Sequence, residues 1–124
     1  MSIRKTREQD LVNLCLQWLR LHRCMVWRQN QGGMTFSGPG KSRFMRFCHQ
    51  DGISDIIGML PTGRFLAVEC KQPGKKPTDN QAEFLREVVA TSGVAICVTS
   101  LQDLQTKLEA ELSKGQSISK EDTQ

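Results

Sequence analysis

Residues 52–72, GISDIIGMLPTGRFLAVECKQ, decide how this chain folds. The first part, 53–60, is apolar apart from Ser54 and Asp55, and the last part, 65–71, is apolar until Glu69 and Lys71. Two such runs separated by Pro61-Thr62-Gly63 read as antiparallel strands joined by a three-residue hairpin loop. Pro61 presets φ, and Gly63 supplies the left-handed residue that the loop needs. If Leu60 pairs with Arg64, Met59 faces Phe65, Ile57 faces Ala67 and Asp55 stands opposite Glu69. Side chains alternate along a strand, so Glu69 and Lys71 share one face while Leu66, Val68 and Cys70 share the other. A two-residue loop would set Asp55 against Cys70 and divide the acids between faces. The three-residue loop is the expected register.

Charged groups in nearly buried strand positions are costly unless they are paired or bound to a metal. Two carboxylates at strand separation suit a hard divalent cation, which takes oxygen ligands and keeps several waters. Such an ion can activate a water and neutralise a phosphate oxygen. A lysine two residues after the acid can orient the attacking water or stabilise the transition state. The same residues are also consistent with an internal salt bridge, Glu69 or Asp55 with Lys71, on an exposed sheet face. Spacing alone leaves both readings open.

The order of these residues resembles the D…(D/E)-x-K core of the PD-(D/E)XK nuclease superfamily, and more closely the VRR-NUC family. That family has an acid on its first helix, an Arg-Asn-Gly segment, a Gly-x-x-Asp strand, a Glu-x-Lys strand and a helix opening with Gln. The corresponding pieces here are Glu8, Arg28-Gln29-Asn30-Gln31-Gly32, Gly52-Ile53-Ser54-Asp55, Glu69-Cys70-Lys71 and Gln81, so the likeness covers about residues 6–100. Ser54 stands where the superfamily name has proline. The resemblance implies an α/β fold of the restriction-endonuclease type, a mixed central sheet flanked by helices. It implies that Asp55, Glu69, the Cys70 backbone carbonyl and a third acid, Glu8, hold Mg²⁺ or Mn²⁺. Lys71 would orient the nucleophile and Gln81 would position phosphate or water. The implied activity is hydrolysis of DNA phosphodiesters to 5′-phosphate and 3′-hydroxyl ends, by a homodimer acting on branched DNA such as Holliday junctions. Two other expectations stay in view: a sequence-specific or nicking endonuclease on the same core, and a catalytically silent nucleic-acid-binding module.

The 124 residues support one domain, expected at 1–112, with residues 113–124 as a polar, flexible tail. The net charge is +4, and the basic residues crowd the first half. Arg28, Asn30, Lys41, Ser42, Arg43 and Arg46, with Lys75 and Lys76 after the Glu-x-Lys strand, are the candidate nucleic-acid contacts. Each is equally consistent with a solvated strand or loop residue. His49 and Asp51 lie close to Asp55, and His49 reads as a turn residue rather than a general base. Five cysteines without a C-x-x-C pair exclude a zinc ribbon and a disulfide framework. Cys15, Cys24, Cys70 and Cys97 read as buried small hydrophobes in a reducing compartment. No apolar run approaches a membrane span and the N-terminus has no signal-peptide pattern. The expected location is the cytoplasm of a bacterial or phage-infected cell.

Along the chain, Thr6 and Gln9 have the form of a capping box opening a helix whose buried residues are expected to be Leu11, Leu14, Cys15, Trp18, Leu19 and Leu21. In its first turn Glu8 would also suit the helix dipole. Residues 25–30 read as a strand, 32–42 as a glycine-rich loop and 43–49 as another strand. Thr78 and Gln81 repeat the capping box before a helix burying Ala82, Leu85, Val88 and Val89, with Gly93 as its left-handed C-terminal residue. Residues 94–99 are a continuous apolar strand, expected parallel to the Glu69 strand through that helix as crossover. Ser100 caps a last helix carrying Leu101, Leu104, Leu108 and Leu112.

Overall fold

The computed structural model describes residues 3–29, 33–38, 40–46 and 51–122, with residues 3–6, 33–37, 41–46 and 115–122 described through their backbone alone. In chain order the elements are α1 (Ile3–Leu21), β1 (Met25–Arg28), β2 (Gly33–Gly38), β3 (Lys41–Arg46), β4 (Ile56–Met59), β5 (Phe65–Cys70), α2 (Asp79–Ala90), β6 (Val94–Val98) and α3 (Leu101–Asp122).

The quoted stretch forms the expected hairpin. Leu60 N–H donates to the Arg64 carbonyl at 2.8 Å, Gly63 N–H donates back to Leu60 at 2.8 Å, and Gly63 has a φ of 91°. The pairs Met59↔Phe65, Gly58↔Leu66, Ile57↔Ala67 and Ile56↔Val68 give the three-residue-loop register. Four strands make one mixed sheet in the order β1-β4-β5-β6, with β6 parallel to β5 across α2. Leu66, Val68, Ile96 and Val98 face a core completed by Val12, Cys15, Leu16 and Leu19 of α1 and by Leu104 and Leu108 of α3. At about 25 cal/mol per Å² of apolar surface, this face supplies most of the stabilisation that burial can give.

Some expectations are corrected. Helix α1 starts at Ile3, so Thr6 lies within it and Glu8 is not in its first turn. Residues 3–5 contain nothing that stops a helix. Its buried stripe uses Val12 and Leu16, while Leu14 and Leu21 are exposed, because the apolar stripe in the sequence is wider than the helix face that meets the sheet. Residues 33–38, expected as loop, are strand β2, paired with β3 from Gly33↔Arg46 to Gly38↔Lys41. Gly40, just before β3, has a φ of 80°. Strand β3 ends at Arg46, and residues 47–50, including His49, lie outside the described residues, as does Asn30.

Helix α2 has the expected capping box: Thr78 Oγ1 accepts from Gln81 N–H at 3.2 Å and Gln81 Oε1 accepts from Thr78 N–H at 2.9 Å. At its end the left-handed residue is Ser92, with a φ of 71°, rather than Gly93. Ser92 N–H donates to Val89 and Gly93 N–H to Val88, satisfying the last carbonyls. Gly93 is required for space, since a Cβ there would collide with Val88 and crowd the Phe65 carbonyl. Val89 is exposed, and Cys97 is only half-buried. Helix α3 opens on Ser100 Oγ, which accepts from Asp103 N–H at 3.0 Å, and it continues beyond Leu112 to Asp122 through residues with no proline to stop it.

Candidate metal centre

The β4–β5 ladder ends at Ile56↔Val68, and the chain before β4 bends. The Cys70 N–H, in position to continue that ladder, donates instead to Oδ2 of Asp55 at 2.9 Å. On the other side the Asp55 carbonyl accepts from Gln29 N–H at 2.8 Å, continuing the pairing of β1. Asp55 is thus fixed from both neighbours, with its carboxylate against the end of β5. Gly52, three residues earlier, lies close against the start of α2. It has a φ of 75°, and a side chain there would collide with the Asn80 carbonyl at the start of α2.

Glu69 is 2% exposed, and its Oε1 has no hydrogen-bond partner. Lys71 Nζ stands 3.8 Å from Oε2, and its own backbone N–H extends the parallel ladder to Val98 at 2.9 Å. Burial pushes the Glu69 carboxyl up to about 8, helped by the neighbouring Asp55 carboxylate and the charge of Glu8; Lys71 opposes the shift. Asp55, Glu69 and Lys71 therefore converge, and Glu8 contributes through its field. A carboxylate in this state takes up either a proton or a cation.

The chemistry of the donors suits a hard ion: carboxylate oxygens, one of them buried and orphaned. Among the described residues no three or more His, Cys, Asp and Glu side chains are grouped closely enough to hold a metal ion, so Glu8 does not close on Asp55 and Glu69 as a third ligand here. The site is an open pair with one wall at α1. That wall belongs to a cleft of about 470 Å³ lined by Arg7, Glu8, Leu11, Lys71, Gln72, Pro73 and Thr99.

The other candidates are more dispersed. Gln81 has its Oε1 committed to the α2 cap. Arg28 is exposed at the end of β1, paired with Ile56 and hence beside Asp55. Lys75 and Lys76 are exposed in the loop between β5 and α2. Lys41, Ser42, Arg43 and Arg46 lie on β3, described through its backbone. Arg7 and Thr99 were missed by the sequence reading. Arg7 adjoins Glu8, which was the only signal, and Thr99 reaches the cleft through the parallel placement of β6. Beneath the site, Cys15 of α1 and Cys70 share a thiol hydrogen bond, which together with burial raises the Cys70 thiol far above its ordinary range.

A family model described as VRR-NUC domain matches residues 6–101. Over 59 residues the chain is 39% identical to "Putative nuclease p44" of Acyrthosiphon pisum secondary endosymbiont phage 1, a match spanning 48% of this chain and 62% of that protein. A solved structure described as a VRR_NUC domain aligns over 83% of this chain and 95% of its own, with a TM-score of 0.58 at 18% identity, a likeness of fold.

Proposed function

The chain belongs to the VRR-NUC family of nucleases, and from that premise we propose that it is a Mg²⁺- or Mn²⁺-dependent endonuclease that hydrolyses phosphodiesters in branched DNA as a homodimer. The observation that carries the reading is the buried, unpartnered Glu69 Oε1 beside Asp55, a carboxylate pair poised to exchange a proton for a cation.

Asp55, Glu69, the Cys70 carbonyl and Glu8 would hold the ion. When bound, such an ion neutralises charge on the phosphate and makes water a better nucleophile. The residues of the chain do the positioning. The Cys70 N–H keeps the Asp55 carboxylate in one orientation, so little is lost to reordering when substrate arrives. Glu69 would hold the ion as a carboxylate, its proton given up to solvent. Lys71, 15% exposed, orients the attacking water in line with the leaving 3′ oxygen and stabilises charge developing on the phosphate. Gln81, at the first turn of α2, positions water or phosphate with its amide. Arg28, Lys75 and Lys76 take neighbouring phosphates, and Lys41, Ser42, Arg43 and Arg46 of β3 take the more distant ones. The product ends are 5′-phosphate and 3′-hydroxyl.

A symmetry argument supports the homodimer: one carboxylate pair addresses one strand, and symmetric cleavage of two arms needs two sites related by a two-fold axis. Exposed Met25, Trp27 and Phe65 provide uncovered apolar surface on the sheet for such a contact. The phage relative and the free thiols support a bacterial or phage-infected cytoplasm. Purified chain incubated with a four-way junction and with linear duplex of matched sequence, in Mg²⁺, Mn²⁺ or chelator, tests the reading. Metal-dependent cutting of the junction in preference to the duplex is expected. Cutting of plain duplex at one defined sequence would replace junction selectivity with sequence selectivity, and binding without cutting in any metal would overturn the enzyme.

A further inference from the structure

The cleft beside the carboxylates is larger than an ion requires, and its walls have a different chemistry. At about 470 Å³ it lies within the size range of small-molecule pockets. Glu8 and Lys71 mark the edge toward the carboxylates. Arg7 carries a guanidinium with no ion pair or hydrogen bond among the described residues, although it lines the same space. Leu11 and Pro73 add apolar surface that neither a cation nor a water could use. Thr99 brings a hydroxyl to the rim, while its backbone N–H is already held by Asp103 Oδ2 at 3.0 Å. An uncommitted cation, a hydroxyl and two apolar walls fit a ligand with an anionic end and a flat or ring-shaped body.

We propose that this cleft is a nucleotide subsite: it takes one unstacked nucleotide next to the phosphate being cut, with that nucleotide's phosphate on Arg7 and its base or sugar against Leu11 and Pro73. The inference rests on the nuclease reading and names what lies beside the cut. Its consequence is selectivity. A nucleotide in continuous duplex is stacked and paired, and removing it costs a few kcal/mol. At a branch point, nick or mismatch that cost is smaller, so a subsite for an unstacked unit favours such substrates without reading any base.

The test uses the full chain and two readouts. Thymidine 5′-monophosphate is titrated calorimetrically in chelator, beside thymidine and inorganic phosphate. The wild type is expected to bind the monophosphate at least several-fold more tightly than either fragment, Arg7→Gln about tenfold more weakly, consistent with a charge-assisted contact, and Arg7→Lys in between. In cleavage assays Arg7→Gln is expected to raise KM about tenfold with kcat within about twofold, a loss of binding without loss of chemistry. Equal binding of the monophosphate by wild type and Arg7→Gln would overturn the subsite, as would inorganic phosphate binding as tightly as the monophosphate. Glu69→Gln separates the two claims: it is expected to lose cleavage yet bind the monophosphate like the wild type. Cleavage unharmed in Glu69→Gln would sink the carboxylate site and leave the calorimetric result to judge the subsite alone.

Discussion

The β4–β5 hairpin turns through three residues and is paired on both sides, to β1 and to β6. Strands β2 and β3, among the described residues, pair only with each other. In the first, the strands are held by buried side chains as well as by hydrogen bonds, so Leu66 and Val68 fix the register and thereby bring Asp55 to the end of β5 that carries Glu69. In the second, the backbone ladder runs from Gly33↔Arg46 to Gly38↔Lys41. A metal centre needs the former kind of support, because a one-residue slip would carry an acid to the opposite face. Phosphate contacts made by long basic side chains tolerate the latter. The comparison predicts that changes to the first hairpin alter chemistry and stability, and that changes to the second alter affinity.

The largest effect is expected from Glu69→Gln or Asp55→Asn, with loss of cleavage by about 10²–10³-fold or more and DNA binding retained. A gel-shift assay run beside the cleavage assay checks both halves. Arg43→Ala on β3 should leave kcat intact and lower the salt slope of binding by about one.

Next comes pH in the absence of metal. Below its ordinary value of 4.5, Glu69 is protonated in the folded and unfolded chain alike. Between that value and about 8 the unfolded chain ionises this group while the folded chain keeps it neutral. Stability therefore falls as pH rises through this window, by on the order of a few kcal/mol, and levels off above it. Urea titrations at pH 5, 6.5 and 8 should show this decline in the wild type, and a much shallower one in Glu69→Gln.

A packing contrast follows. Leu66→Ala in β5 should cost about 3 kcal/mol, as for other fully buried leucines. Replacing residues 34–45 by a short Gly-Ser link should change stability far less, since it removes strands that, among the described residues, pair only with each other. If the replacement costs as much as Leu66→Ala, the two hairpins are not energetically distinct. The smallest effect is expected at Ser54, which is fully buried beside Asp55 with an Oγ that has no partner. Ser54→Ala should raise stability by about 1 kcal/mol and spare cleavage, because it removes a desolvated hydroxyl.

Much of this was legible in the sequence, for identifiable reasons. The Pro61-Thr62-Gly63 turn and the alternation around it specify the register, and the register specifies the carboxylate pair. The capping box at Thr78 was legible because Pro77 precedes it and disfavours helix at Lys76. The same pattern at Thr6 misled, since residues 3–5 allow the helix to start earlier. Glycines at 33, 38 and 40 suggested loop, yet Met34, Thr35 and Phe36 between them have strand propensity and the ladder formed. Ser92 rather than Gly93 takes the left-handed position because space against Val88 and Phe65 is what requires the glycine. Within the site, the Asp55 side chain replacing a ladder partner for Cys70 left no mark in the pattern. Nor did the meeting of Arg7, Pro73 and Thr99, which depends on how α1, β5 and β6 end side by side.

The most direct test is Mn²⁺ titrated calorimetrically into metal-free wild type and Glu69→Gln at pH 7, in two buffers of different ionisation heat. Asp55 and Glu69 sharing an ion predicts saturable binding by the wild type with release of most of a proton, and binding at least tenfold weaker with no proton release in Glu69→Gln. Equal Mn²⁺ binding by both proteins, or binding without proton release by the wild type, would contradict it.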